Sequence, residues 1–197
     1  MKTSNYILFC PLTVAACLMV GCASAPKQDP VAFTAQALAA TDSIKAAAFE
    51  KGSTAEKEAI ERFKIFNSDF SAANITNNTK KVYAADVYFR DPFKTMHNEA
   101  EFEKYLLCGS EAVAQFGMEW KDVAGNNGDY YFRWVMSVKL KRDARNDAPG
   151  LTTGISHVRF NRDGLVIFHQ DYFDAAAFLY EKIPVLGAEI RFIKNRL

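Results

Sequence analysis

Several features are missing or scarce in this 197-residue chain, and each absence excludes something. Neither GxGxxG nor a Walker pattern occurs, so nothing marks a loop that cradles phosphates. Histidine is limited to His97, His157 and His169, and their scatter gives no metal-ligand spacing. No metal and no cofactor is expected. Neither sign of charge dominates, with 24 Lys+Arg against 23 Asp+Glu, so no basic field draws a nucleic acid. No internal repeat is found. No apolar run reaches the roughly 20 residues that span a bilayer. The longest, residues 6–20, is interrupted only by Thr13.

That run is informative in another way. Lys2 precedes it and Gly21-Cys22 closes it, which is the layout of a secretory signal. Met19-Val20-Gly21-Cys22 resembles the lipobox of bacterial lipoproteins, with Met19 where Leu is usual. An ordinary secretory signal cut near Ala23 or Ala25 is the alternative. The resemblance implies a signal peptide over 1–21 and acyl chains of the palmitate type on Cys22. With Ala rather than Asp at position 23, it also implies the periplasmic face of the outer membrane. Each buried CH₂ adds about 0.8 kcal/mol, so several chains on one cysteine anchor firmly.

Cysteine usage agrees with this. Cys10 and Cys17 leave with the signal, Cys22 carries lipid, and Cys108 remains alone, so no internal disulfide can form. Cys108 lies in the apolar run Tyr105-Leu106-Leu107-Cys108 and is expected to be a buried small hydrophobe.

Residues 22–52 read as a tether, rich in Ala with Pro26 and Pro30. A loosely packed helix over 31–50 is expected from the helix propensity of Ala. The folded domain is expected over 53–197. Ser53-Thr54-Ala55-Glu56 is a capping box that starts a helix. Residues 74–79 read as a polar break, 80–85 as a short helix, 87–89 as a strand ended by Asp91-Pro92, and 99–116 as a third helix. The period then changes from 3.6 to 2. Strands are expected over 118–123, 130–141, 152–160 and 165–173, with a turn at Asn126-Asn127-Gly128. Helical pieces over 175–182 and 187–195 follow. Helices first and a curved antiparallel sheet after them make an α+β architecture.

Alternation places Phe132, Trp134, Met136 and Val138 on one face, with Ser156, Val158 and Phe160 beside them. Matching apolar faces puts Phe168, Gln170 and Tyr172 on that same side and pairs Phe160 with Phe168. The same register sets His157 opposite Asp171 and Arg159 opposite His169, as structural pairs on a charged outer face.

Tyr83-Ala84-Ala85-Asp86-Val87-Tyr88-Phe89-Arg90-Asp91-Pro92-Phe93, followed by a helix and four strands, resembles the nuclear-transport-factor-2-like superfamily in its SnoaL-like branch. The resemblance spans about 54–174. It implies a cone (cystatin-like roll) whose sheet curls around the N-terminal helices and encloses an apolar pocket, with C-terminal helices added. Pocket residues are then Tyr88, Trp134, Met136, Ser156, Phe168, Gln170 and Tyr172. In ketosteroid-isomerase relatives the general base is an Asp before a Pro at the end of the first strand, and Asp91 matches it. Their oxyanion donors, a Tyr and a protonated Asp, fall on Phe63 and Ser156. Losing such donors costs on the order of 10²–10³ in rate apiece. A turn-forming, structural Asp91 is the competing reading.

Two functions are therefore expected of this fold. The first is a membrane-anchored lipoprotein whose pocket binds a small apolar or lipid-like ligand. The second is an isomerase, cyclase or hydrolase with Asp91 as base. A homodimer through the charged sheet face is a third possibility by chemistry. The basic, apolar C-terminal segment either caps the open end of the cone or contacts membrane.

Overall fold

The computed structural model of the chain describes residues 29–141 and 148–197. Cys22, the signal and the expected acylation site lie outside the described residues. Gln36–Leu197 form one compact unit.

Helix α1 (Pro30–Ala46) opens where the Asp29 carboxylate accepts the Val31 N–H at 2.9 Å. Helix α2 (Thr54–Ser68) is capped by Ser53, whose Oγ accepts the Glu56 N–H at 3.2 Å. Ala59, Phe63 and Phe66 recur at helical spacing and bury one face. Helix α3 (Ala72–Val82) replaces the expected polar break. Ser71 caps it, and Ile75, Thr79 and Val82 form its buried stripe. Thr79 hides its hydroxyl by donating to the Ile75 carbonyl at 2.6 Å, so a polar residue acts as core.

Strands β1 (Tyr83–Arg90) and β2 (Thr95–Met96) follow, then helix α4 (Glu99–Ala112), β3 (Val113–Asn126), β4 (Asp129–Leu140), β5 (Gly150–Phe160) and β6 (Val166–Phe173). A short helix α5 (Ala175–Phe178), a 3₁₀ turn (Tyr180–Lys182) and helix α6 (Pro184–Lys194) complete the chain. Asn127 and Gly128 both take positive φ, 50° and 78°, as a tight turn joining β3 to β4 requires.

The six strands order β2-β1-β6-β5-β4-β3 in one curved sheet. It is mixed rather than purely antiparallel, because β1 runs parallel to β6. Helix α4 is shorter than expected and β3 longer, since Val113 already pairs with Leu140. Phe63, Phe132, Phe160, Val158, Val166, Tyr83 and Phe102 fill the core between helices and sheet. The α+β cone expected from the chain is the fold observed.

One register differs, and it moves the site. Phe160 pairs with Val166, Arg159 with Phe168, Val158 with His169, His157 with Gln170 and Ser156 with Asp171. A bulge leaves Ile167 without an opposite residue. One extra residue turns every following side chain to the other face. His169 and Asp171 therefore share the inner face with Ser156 and Val158, while Phe168, Gln170 and Tyr172 go outside with His157 and Arg159.

On that outer face the expected His157–Asp171 and Arg159–His169 pairs do not form. His157 Nε2 meets Asp129 Oδ1 at 2.7 Å, and Arg159 Nε donates to the same oxygen at 2.6 Å. Arg159 also donates to the Leu38 carbonyl at 2.6 Å and to Thr41 Oγ1 at 2.7 Å, and Lys45 pairs with Asp129. The second half of α1 is thus fastened to the sheet and not loosely packed. This cover buries His157 and Arg159, which the alternation alone left on a charged surface.

Candidate functional site: a cavity under the curled sheet

A cavity of about 570 Å³ lies between the inner sheet face and helices α2 to α5. Each wall follows from local pattern. Helix α4 turns Phe102, Tyr105, Leu106 and Gly109 inward at helical spacing, and β4 turns Trp134, Met136 and Val138 inward at alternate positions. Phe66, Phe89, Phe116, Met118 and Trp120 extend the apolar lining. Phe178 and Leu179 sit at one side, and none of the described side chains of α6 borders the cavity. Helix α6 exposes Val185, Leu186, Phe192 and Ile193.

The polar groups converge at one end. Asp91 ends β1 and divides its carboxylate. Oδ1 accepts the Phe93 and Lys94 N–H groups at 2.8 and 2.7 Å. Oδ2 accepts the Tyr105 hydroxyl at 2.5 Å. The turn-forming reading of Asp91 describes one oxygen, and the other is held by Tyr105, which lines the cavity with Asp91. Burial pushes the Asp91 carboxyl above its ordinary value. The bonds from Tyr105 and the two amides oppose that shift, and the neighbouring Asp171 charge adds to it.

Asp171 reaches the same end from β6. Its Oδ1 accepts the Ser156 hydroxyl at 2.5 Å and His169 Nε2 at 2.9 Å. His169 Nδ1 lies 3.1 Å from the Tyr83 hydroxyl. Placing the ring proton on Nε2 lets Tyr83 donate to Nδ1 and satisfies both contacts. Burial raises the Tyr83 phenol far above its usual range. Burial does the same to Tyr105, helped by the Asp91 charge. Trp134 Nε1 donates to Ser156 Oγ at 2.9 Å, and Asn67 Nδ2 to the Phe63 carbonyl at 2.8 Å.

Of the residues expected to form the pocket, Trp134, Met136 and Ser156 line the cavity with Asp91. Tyr88, Phe168, Gln170 and Tyr172 do not. Tyr88 and Phe168 instead stack on the outer face, ring centroids 5.3 Å apart. Asp171, expected on the outer face, lines the cavity. Phe63 is core, fully buried 4.5 Å from the Phe132 ring. Tyr105 and His169 were missed by sequence reasoning. The inward stripe of α4 pointed to Tyr105, but no local signal marks the bulge that turns His169 inward. Cys108, expected to be buried, is exposed because it falls beside that stripe.

The hydrogen-bond census restricts the chemistry. Among the described residues, the donors of Tyr105, Ser156, His169, Trp134, Asn67 and the two amides at the polar end already have acceptors. Acceptor capacity remains on Asp91 Oδ2 and on Asp171 Oδ2, the latter without a hydrogen bond among the described residues. With both carboxylates ionised, this end accepts hydrogen bonds from a guest, and none of these donors is free for an oxyanion.

Solved structures with the same fold support the architecture. A protein of unknown function from Exiguobacterium sp. 255-15, described as NTF2-like, is 12% identical, with 59% of this chain and 98% of that one covered at a TM-score of 0.50. An epoxide hydrolase of M. tuberculosis described as LEH-like is 12% identical, covering 70% and 96% at 0.51. A proposed SnoaL-like polyketide cyclase from Jannaschia sp. CCS1 is 9% identical, covering 66% and 94% at 0.51. At these identities the likeness is one of fold, the NTF2-like cone shared with SnoaL-like proteins. No curated protein matches the chain. Residues 61–169 match the family model described as "Uncharacterized conserved protein (DUF2358)", and the chain belongs to that family.

Proposed function

We propose that the protein is a lipid-anchored periplasmic lipoprotein of the outer membrane whose cavity binds a small, largely apolar ligand. The observation that carries the binding reading is the cavity itself: about 570 Å³, within the range of ligand sites, with mainly Phe, Trp, Leu, Met and Val around it. A fully packed interior would leave no such volume. Both tryptophans of the chain, Trp120 and Trp134, line the space, so their fluorescence reports its occupancy directly. A water-soluble apolar probe such as cyclohexanol should shift that emission saturably in the intact protein held in lipid nanodiscs. Met136→Trp, which fills the space, should abolish saturation. A linear, unsaturable response would defeat the binding reading. Anchoring has its own test. Palmitate labelling in the native cell should mark the wild-type chain, and Cys22→Ser should lose both the label and its partition with outer membrane.

A second reading is supported by Asp91. A carboxylate whose proton affinity is raised by burial, with one oxygen held only by the Tyr105 hydroxyl beside an apolar space, is suited to abstract a proton from a bound substrate. The lack of a free donor for a developing oxyanion makes it the weaker of the two. Asp91→Asn separates them, because it should abolish an isomerase, cyclase or hydrolase and leave binding of a neutral apolar probe intact.

A further inference from the structure

The cavity's two ends differ in what they demand of a guest, and the polar end narrows its chemical class. This inference rests on the binding reading above. Carboxylates from two separate elements, Asp91 after β1 and Asp171 on β6, reach the same end, close enough for the Asp171 charge to act on Asp91. Asp91 is nine-tenths buried. Two lysines border this region without a hydrogen bond to either carboxylate from their ammonium groups among the described residues. Lys141 is exposed at the margin of the cavity, and Lys94 lies over the Tyr105 ring, its Nζ 5.7 Å from the centroid. His169 already directs Nε2 at Asp171 Oδ1, beside the Ser156 hydroxyl.

Three kinds of head group can be compared with this arrangement. Beside Asp91 and Asp171 a carboxylate or enolate guest would meet donors that already have acceptors and would bring a third negative charge next to two others. A neutral hydroxyl could donate one hydrogen bond and leave both charges uncompensated. An ammonium carries several N–H donors and a positive charge, which is what two acceptor oxygens in an apolar enclosure lack. In such surroundings an opposite charge is worth more than in water. The walls beyond that end are Phe66, Phe102, Leu106, Phe116, Met118 and Met136, which suit a hydrocarbon or aromatic body.

We propose that the cavity takes an apolar amine, its protonated nitrogen donating to Asp91 Oδ2 and Asp171 Oδ2 and its body lying against the α4 and β3–β4 walls.

The test uses the full chain in nanodiscs and three water-soluble probes of one shape: cyclohexylamine, cyclohexanol and cyclohexanecarboxylate. Tryptophan emission gives an apparent Kd for each at pH 7. The amine should bind at least tenfold more tightly than the alcohol, and the carboxylate more weakly than either. Asp171→Asn and Asp91→Asn should each lower the amine-to-alcohol ratio several-fold, because each removes one of the two charges that favour the ammonium. The wild-type order decides the matter even if a variant fails to fold. Equal binding of amine and alcohol, or tighter binding of the carboxylate, overturns the amine assignment and leaves the cavity reading standing. No saturable response to any probe overturns both.

Discussion

Ser156 donates to Asp171 Oδ1 at 2.5 Å across the β5–β6 pair, and the same Ser156 oxygen accepts Trp134 Nε1 at 2.9 Å. One hydroxyl therefore links the cavity wall to its acidic end. Ser156 is buried. Replacing it with Ala removes both bonds and strands the indole N–H in apolar surroundings. An unsatisfied buried donor costs about 1–3 kcal/mol. Ser156→Ala should lose that much in urea unfolding at neutral pH. An unchanged midpoint would mean that the indole finds another acceptor, and the linking role would be wrong.

The position of Trp134 is set from behind by a glycine. A Cβ at Gly154 would stand 2.3 Å from the indole Cη2 and 2.8 Å from the Tyr172 carbonyl, so neither side can yield without moving a large ring or backbone. Gly154→Ala should cost about 1–3 kcal/mol through overpacking and displace the indole into the cavity. A red or blue shift of tryptophan emission, together with weaker cyclohexanol binding, is the expected pair of readings. Wild-type emission in a variant of wild-type stability would rule the contact out as a determinant of the wall.

The fold was legible because its main signals are local. The Ser53 N-cap, the Asn127-Gly128 turn and the alternation along β4 each act over a few residues, and the structure carries all three, although Glu56 reaches back to the Gly52 N–H and not to that of Ser53. Helix α3 was not legible because Thr79 reads as polar while its hydroxyl is satisfied within its own helix. The site was half legible. Asp91 and the β4 residues follow from a chain motif and a period of 2. The inward turn of His169 and Asp171 depends on a bulge at Ile167, where Val166, Ile167 and Phe168 are apolar in both phases and the pattern cannot choose a face. The burial of His157 and Arg159 likewise depends on α1, whose partner residues lie more than a hundred positions away in sequence.

That outer cluster should dominate the acid limb of stability. Asp129 receives Lys45, Arg159 and His157, and these partners overcome the burial that opposes ionisation, holding its carboxyl down at about 2. The folded state binds this proton more weakly than the unfolded chain, so stability is full above the ordinary value of 3.8 and is lost as pH falls from there toward 2. Burial also lowers the His157 pKa despite Asp129 beside it, so neutral His157 is favoured and protonation adds strain as pH falls below its ordinary value of 6.5. Asp129→Ala leaves buried Arg159 with only the exposed Asp42 carboxylate, 3.1 Å from its Nη1, and should cost on the order of 2 kcal/mol at pH 7. The loss should shrink toward pH 2, where wild type has also lost the ionised partner. Chemical unfolding from pH 2 to 7 measures both effects, and a pH-independent difference would contradict the linkage.

Asp91 should act in the opposite sense. Burial raises its folded-state pKa, so between the ordinary value of 3.8 and the raised one the folded state holds a proton that the unfolded chain has released. Stability then falls as pH rises through that window, because ionising Asp91 next to Asp171 in an apolar enclosure is unfavourable. Asp91→Asn removes the ionisation, so the stability of wild type relative to the variant should decline across that interval and level off above it. Tyr105→Phe removes the hydroxyl that favours the charged form at Oδ2, which should carry the pKa further up and widen the interval. Carboxyl-selective NMR titration of Asp91 reads the pKa directly, and unfolding across the same pH range reads its energetic consequence. The two must move together. An Asp91 that titrates at or below 3.8 would show that its two backbone amides prevail over burial, and it would remove the acid–base reading of this cavity.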